Sequence, residues 1–332
     1  MESGSSIVTF GTGSELRQDG GRPTRPSTAG STRNKRPHAY ERHRSRALPF
    51  TMQRLLPALL LAACNTAPPT PLPTITAPSA TSEVRDDLAT LYDEARLQGS
   101  FILHDLGRDH WMYIDSAQAD IGTLPASSFK IFSSLYGLES GVVRNAEFVI
   151  PWDSVDYGRA IINRDLTLRE SVVHSAYWYH REVARRAGPA TLKHWLDTVG
   201  YGNADTSGGY DRTWVVGGLR ITPRQQVDFL TRLVRNELPF SQRSMDIVKD
   251  ITLQEDTLGY RLHGKTGWAM GRDGSTGWFV GWVEKEDGSG PYVFANRCLT
   301  SDTLSETFAS ARRAISIAVL QDIGVLPKPN PR

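Results

Sequence analysis

Ser127 and Lys130 stand three residues apart in the run Pro125-Ala126-Ser127-Ser128-Phe129-Lys130. On a helix that spacing puts both side chains on one face, a turn apart. A serine hydroxyl is a weak nucleophile until a neighbouring base takes its proton. The start of a helix adds backbone N–H groups and a positive dipole beside the oxyanion that such an attack creates. Phe129, Ile131 and Phe132 flank the lysine, and desolvation of its stem would lower its pKa and make the amine a usable base. Taken alone, Ser-x-x-Lys is common by chance and better describes a capping serine beside an exposed lysine. A second group is Lys265-Thr266-Gly267-Trp268, at the end of a predicted strand. A lysine and a threonine hydroxyl can bind a carboxylate and guide protons, and Gly267 lets a substrate approach the strand edge closely. By itself it reads equally as a turn closing a strand. Ser175, after a helical pattern, and the turn Tyr201-Gly202-Asn203 lie between the two groups.

The elements that must position these residues follow from periodicity and caps. Leu88, Leu91, Tyr92 and Ala95 predict a helix stopped at Gly99, and Phe101 to Leu106 with His110 to Ile114 predict a hairpin. A helix is expected over Ser128 to Leu138, closed near Gly141, then one or two over Leu168 to Ala187 and a short one over Thr191 to Val199. Thr222-Pro223 opens a helix running to Arg235, and Ser241 caps another through Ile247. Three strands follow at Gly259 to Thr266, Gly277 to Glu284 and Tyr292 to Asn296, then a last helix from Leu304 to Ile323, ended by Gly324. This order predicts an α/β fold of the α+β kind: a central antiparallel β-sheet flanked by helices, with an inserted all-helical subdomain.

That domain is expected at residues 83–327. Residues 1–51 show neither helical nor strand periodicity and read as a disordered leader or a mispredicted start, with translation beginning at Met52. Residues 52–64 combine one basic residue, a short apolar run and Leu61-Ala62-Ala63-Cys64, the parts of a secretory signal. The run is far shorter than the roughly 20 apolar residues that span a bilayer. Its ending resembles a bacterial lipobox, which implies lipidation of Cys64, and residues 65–82 form a Pro/Thr linker. The expected product is exported, periplasmic or held at the cell envelope, and touches the membrane only through that lipid. The nine basic and four acidic residues before Met52 account for the basic balance: without them the formal net charge moves from +2 to −3. No basic stripe remains to argue for nucleic acid. With Cys64 lipidated, Cys298 stands alone, so no bridge or CxxC site is available, and the eight histidines lack HExxH spacing. No metal is expected.

Ser-x-x-Lys, a middle serine and Lys-Thr-Gly in that order resemble the penicillin-recognising serine enzymes. The closer resemblance is to class D, or oxacillinase-type, serine β-lactamases. It is carried by Pro125 to Ile131, Gly137-Leu138-Glu139-Ser140-Gly141, Arg164 to Arg169 and Tyr201-Gly202-Asn203. Trp214 with Leu219-Arg220-Ile221 before Gln225-Gln226, Arg235 to Phe240, His263 to Trp268 and Gly277 to Glu284 extend it over roughly Phe101 to Gly324.

The resemblance implies a β-lactamase/transpeptidase-like fold and β-lactam antibiotics as substrates, acting as a monomer or a dimer. It implies that Ser127 is acylated and that Lys130 carries a carbamate formed from CO2, the general base for acylation and deacylation, with no other cofactor. Trp214 would hydrogen-bond that carbamate, and Ser175 would relay protons to the leaving nitrogen. Backbone N–H groups of Ser127 and Trp268 would form the oxyanion hole. Lys265, Thr266 and Gly267 would hold substrate together with Arg312 of the last helix, with Arg313 as the competing candidate. One residue departs from the pattern: the family's Ser-x-Val stands here as Ser175-Ala176-Tyr177. The larger side chain would crowd the modified lysine, hydrogen-bond it or swing away. The alternatives are a slow-turnover penicillin-binding, sensor-like protein and a cell-wall DD-peptidase.

Overall fold

The computed structural model describes residues 80–257, 259–271, 274–301 and 306–328. The leader, the signal segment with Cys64 and nearly all of the linker lie outside them. The described chain opens with β1 (Thr81–Val84), a 3-10 turn at Asp86–Ala89 and α1 (Thr90–Glu94), then β2 (Gln98–Asp105) and β3 (His110–Ile114). A 3-10 turn at Ala126–Phe129 leads into α2 (Lys130–Glu139). The ribbon β4 (Val149–Ile150) and β5 (Leu166–Thr167) precedes α3 (Leu168–Val173), α4 (Tyr177–Ala187), α5 (Pro189–Val199), α6 (Pro223–Val234) and α7 (Gln242–Ile251). Then come β6 (Leu253–Thr257), β7 (Tyr260–Gly271), β8 (Gly274–Lys285), β9 (Tyr292–Thr300) and α8 (Glu306–Asp322).

Seven strands form one sheet in the order β1-β3-β2-β9-β8-β7-β6. Alternate strand residues point to opposite faces, and both faces are covered. On β8, Trp278, Val280 and Trp282 pack into the core shared with the helices from α2 to α7. Phe279 and Val283 point the other way, into a second core with Phe308 and Val319 of α8. Burial on both sides is why the segment reads as a nearly unbroken apolar run. The helices between β3 and β6 are the inserted helical part that the sequence predicts, all on one face.

Several expectations need correction. The sheet is not wholly antiparallel, because β1 runs parallel to β3 at one edge. That strand also takes in Thr81 and Ser82, which the sequence reading assigns to the linker. Gly99 does not stop α1; Arg96 does, at a φ of 56°. Gly99 lies inside β2, where a Cβ would run into the Tyr92 ring and stand 2.6 Å from Arg297 O. No sequence pattern predicts the strand β6, since Leu253-Gln254-Glu255-Asp256-Thr257 is polar, as an exposed edge strand tends to be. The strand carrying Lys265 continues to Gly271 because Gly267 serves close approach in mid-strand and not a turn. Helices α5 and α7 begin and end beyond their expected limits, at Pro189 and Ile251.

Candidate active site

The turn before α2 sets the serine. Ala126 has a φ of 51°, and its N–H bonds Trp214 O at 2.9 Å. Ser128 Oγ donates to Pro125 O at 2.7 Å and accepts from Gln226 Nε2 of α6 at 2.7 Å. With its neighbours buried and pinned in this way, Ser127 alone stays partly exposed. Lys130 Nζ lies 2.9 Å from Ser127 Oγ. The lysine has no exposed surface. Burial, then the charges of Lys265 and Arg159, push its pKa well below the usual lysine range. The amine is therefore available as a base beside the one accessible hydroxyl of the turn.

Strand β7 brings the second group against the first. A Cβ on Gly267 would stand 3.0 Å from Pro125 O and 3.2 Å from Ser127 N, so glycine is what lets the strand and the turn meet. Lys265 is buried, and its Nζ donates to Ser175 Oγ at 3.2 Å and to Thr266 O at 3.0 Å. Burial first, with Arg312 and Arg159 behind it, brings its pKa down to about 7. Thr266 and Trp268 are partly exposed. Ser175 occupies the corner between α3 and α4 at a φ of 56°.

Arg312 reaches the site from behind. It is 2% exposed, donates to Gly267 O and Ala309 O, and lies 5.5 Å from the centre of the Trp268 ring. Arg313 turns away to Glu255. In this conformation Arg312 braces the strand that faces substrate. Trp214 is fully buried and stacks on Phe129, with ring centres 4.7 Å apart and planes 10° from parallel. Its indole N–H has no hydrogen-bond partner among the described residues, an arrangement that costs about 1–3 kcal/mol in a protein interior. Tyr177 is 9% exposed and lies edge-on to Trp214 at 6.1 Å, with Arg181 over its ring. The sequence reading missed two cationic or titratable residues here. Arg159 donates to His174 O at 3.0 Å, and His180 lies buried between α2 and α3. Neither sits in a motif that would have flagged it.

The family model for the penicillin binding protein transpeptidase domain matches residues 111–314. The probable β-lactamase YbxI of Bacillus subtilis is 38% identical over 228 residues, 69% of this chain and 82% of the relative. The chain belongs to the class D β-lactamase family. The crystal structure of the class D β-lactamase YbXI from Nostoc superposes with a TM-score of 0.68 at 36% identity, covering 72% of this chain and 99% of that one. The C-terminal domain of the BlaR penicillin receptor of Bacillus licheniformis is also similar, with a TM-score of 0.69 at 29% identity over 76% of this chain and 100% of that domain.

The class D site carries a measurable cost. A lysine with a folded pKa of about 7 binds its proton less tightly than in the unfolded chain, where the value is about 10.4. The penalty is full below about pH 7 and fades as pH rises toward 10. Lys265→Met should therefore raise unfolding stability by about 1–4 kcal/mol near pH 6. Urea unfolding at several pH values should show that gain shrinking toward pH 10.

Proposed function

We propose that the protein hydrolyses β-lactams through an acyl-enzyme on Ser127, with Lys130 as the general base. The observation that carries the reading is the fully buried Lys130 amine 2.9 Å from the only partly exposed hydroxyl of its turn. As Ser127 Oγ bonds to the lactam carbonyl carbon, its proton passes to Lys130. The C–N bond then breaks, and the leaving nitrogen takes a proton by way of Ser175, which Lys265 holds at 3.2 Å. The N–H groups of Ser127 and Trp268 receive the oxyanion, and Thr266 with Lys265 attracts the substrate carboxylate.

Residues around Lys130 suit a carbamate. Only an unprotonated amine captures CO2, and the unpartnered indole N–H of Trp214 supplies a donor beside Phe129. When formed, the carbamate supplies an anionic base that takes the Ser127 proton and later activates water. Export with a lipid on Cys64 is part of the same proposal, and a metabolic fatty-acid label retained in Cys64→Ala would refute it.

A second reading, slow release, is favoured by Tyr177, whose ring packs on Trp214 where the family pattern has valine. Intact-mass measurement with a penicillin separates the two readings, a transient adduct meaning turnover and a persistent one a binder. Ser127→Ala should carry no adduct, and an adduct on that variant would overturn the assignment.

Lys130→Ala should lower deacylation by about 10²–10⁴-fold, the usual contribution of a general base. Wild-type hydrolysis of a chromogenic cephalosporin should rise with bicarbonate and fall in acid. In Tyr177→Val, deacylation should speed up and depend less on added bicarbonate. Fast wild-type turnover that ignores bicarbonate and is unchanged in Tyr177→Val would point to a free lysine amine.

A further inference from the structure

His180 is the fourth residue of α4, has no exposed surface, and takes no part in the steps above. Its two ring nitrogens join two other helices. Nε2 lies 3.2 Å from Ser171 Oγ of α3, and Nδ1 lies 3.0 Å from Ser133 Oγ of α2. Ser171 already donates its one hydroxyl proton to Leu168 O at 2.7 Å. It therefore accepts from His180, which fixes the proton on Nε2 and leaves Nδ1 to accept from Ser133. The imidazole thus bonds in one defined sense across three helices.

What these bonds enclose gives them a role. Ser175 is the apex of the corner between α3 and α4, where Ala176 N bonds Ser171 O at 2.8 Å and Ser175 N bonds Val172 O at 3.2 Å. Ser171 and His180 lie on the two arms of that corner, so their bond holds it closed. Ser133 lies one turn beyond Lys130 on α2, so its bond ties the closed corner to the helix that carries the base. We infer that His180 is a positioning residue, a clamp that holds the Ser175 corner in reach of Lys130 and Lys265. Burial, with Lys130 facing it from α2 and Lys265 from β7, keeps the imidazole well below its ordinary pKa, so the clamp stays in one protonation state. Tyr179 is its ring neighbour on α4, at 5.6 Å.

The inference rests on the acyl-enzyme reading, and its test is arranged to separate the two. The full chain would be compared as wild type, His180→Phe, His180→Gln and Ser133→Ala, with kcat and KM for a chromogenic cephalosporin, thermal unfolding, and adduct mass with a penicillin. His180→Phe keeps the ring and removes both bonds. Its kcat should fall by about ten- to a hundredfold, the range expected when a reacting group moves by about 1 Å. Its KM should stay within about threefold, because the ring meets no substrate. His180→Gln, with one donor and one acceptor, should recover much of the loss. A folded His180→Phe with wild-type kcat, or a His180→Gln no better than His180→Phe, would overturn the clamp. If His180→Phe does not fold, Ser133→Ala decides: a lower kcat at unchanged KM supports the clamp, and wild-type kcat refutes it. A wild type that forms no adduct at Ser127 would instead sink the acyl-enzyme reading.

Discussion

A primary amine shut away from water beside a second buried amine sets the terms for this structure. Charging Lys130 would mean placing a cation in an apolar interior, within the field of Lys265 and Arg159. Isolated buried charges are costly, so burial disfavours the protonated amine. The chemistry then needs one thing more, a hydroxyl within reach that is itself accessible. The turn at Ala126–Phe129 supplies it by burying the residues on either side of Ser127 and leaving that one partly open.

Keeping such an arrangement demands support from every layer. The sheet is buried on both faces and acts as a rigid wall, and glycine at position 267 lets that wall touch the turn. Trp278 Nε1 donates to Leu124 O at 2.8 Å, and Arg297 of β9 donates to Ile121 O at 2.6 Å. The segment leading to Ser127 is thereby fastened to the sheet at two points. On the other side, Asp211 pairs with Arg181 and Arg185 at 2.9 Å each, tying the loop that carries Trp214 to α4. Unfavourable features gather at the same place: left-handed backbone at Ala126 and Ser175, the buried side chains of Lys130, Lys265 and Arg312, and an indole N–H with no partner among the described residues. Strain and desolvation concentrated in this way mark a site whose surroundings hold it in place.

Much of this was legible in the residues. The serine of the turn before α2 and the lysine that opens α2, the strand with Lys-Thr-Gly, the capped helix at Thr222 and the alternation of strands and helices all rest on local patterns, and those survive folding. The capping box at Thr222 and Gln225 is present as the sequence implies. What escaped depends on long-range contact. Gly267 looks like a turn residue until the Ser127 turn is packed against it. Arg312 can be picked out on the last helix, but its burial and its bond to Gly267 O appear only once α8 packs against β7. A histidine inside an aromatic helix start carries no signal until Ser133 and Ser171, 47 and 9 residues away, close on it. The polar edge strand β6 is defined by its pairing with β7 alone.

The state of Lys130 is open to direct measurement by carbon-13 NMR of the protein equilibrated with labelled bicarbonate. One carbamate resonance should appear near neutral pH, disappear on acidification, and be missing from Lys130→Ala. Trp214→Phe, which removes the indole donor, should weaken it. A wild-type protein that hydrolyses β-lactams at full rate with no such resonance would contradict the carbamate and leave the bare amine as the base.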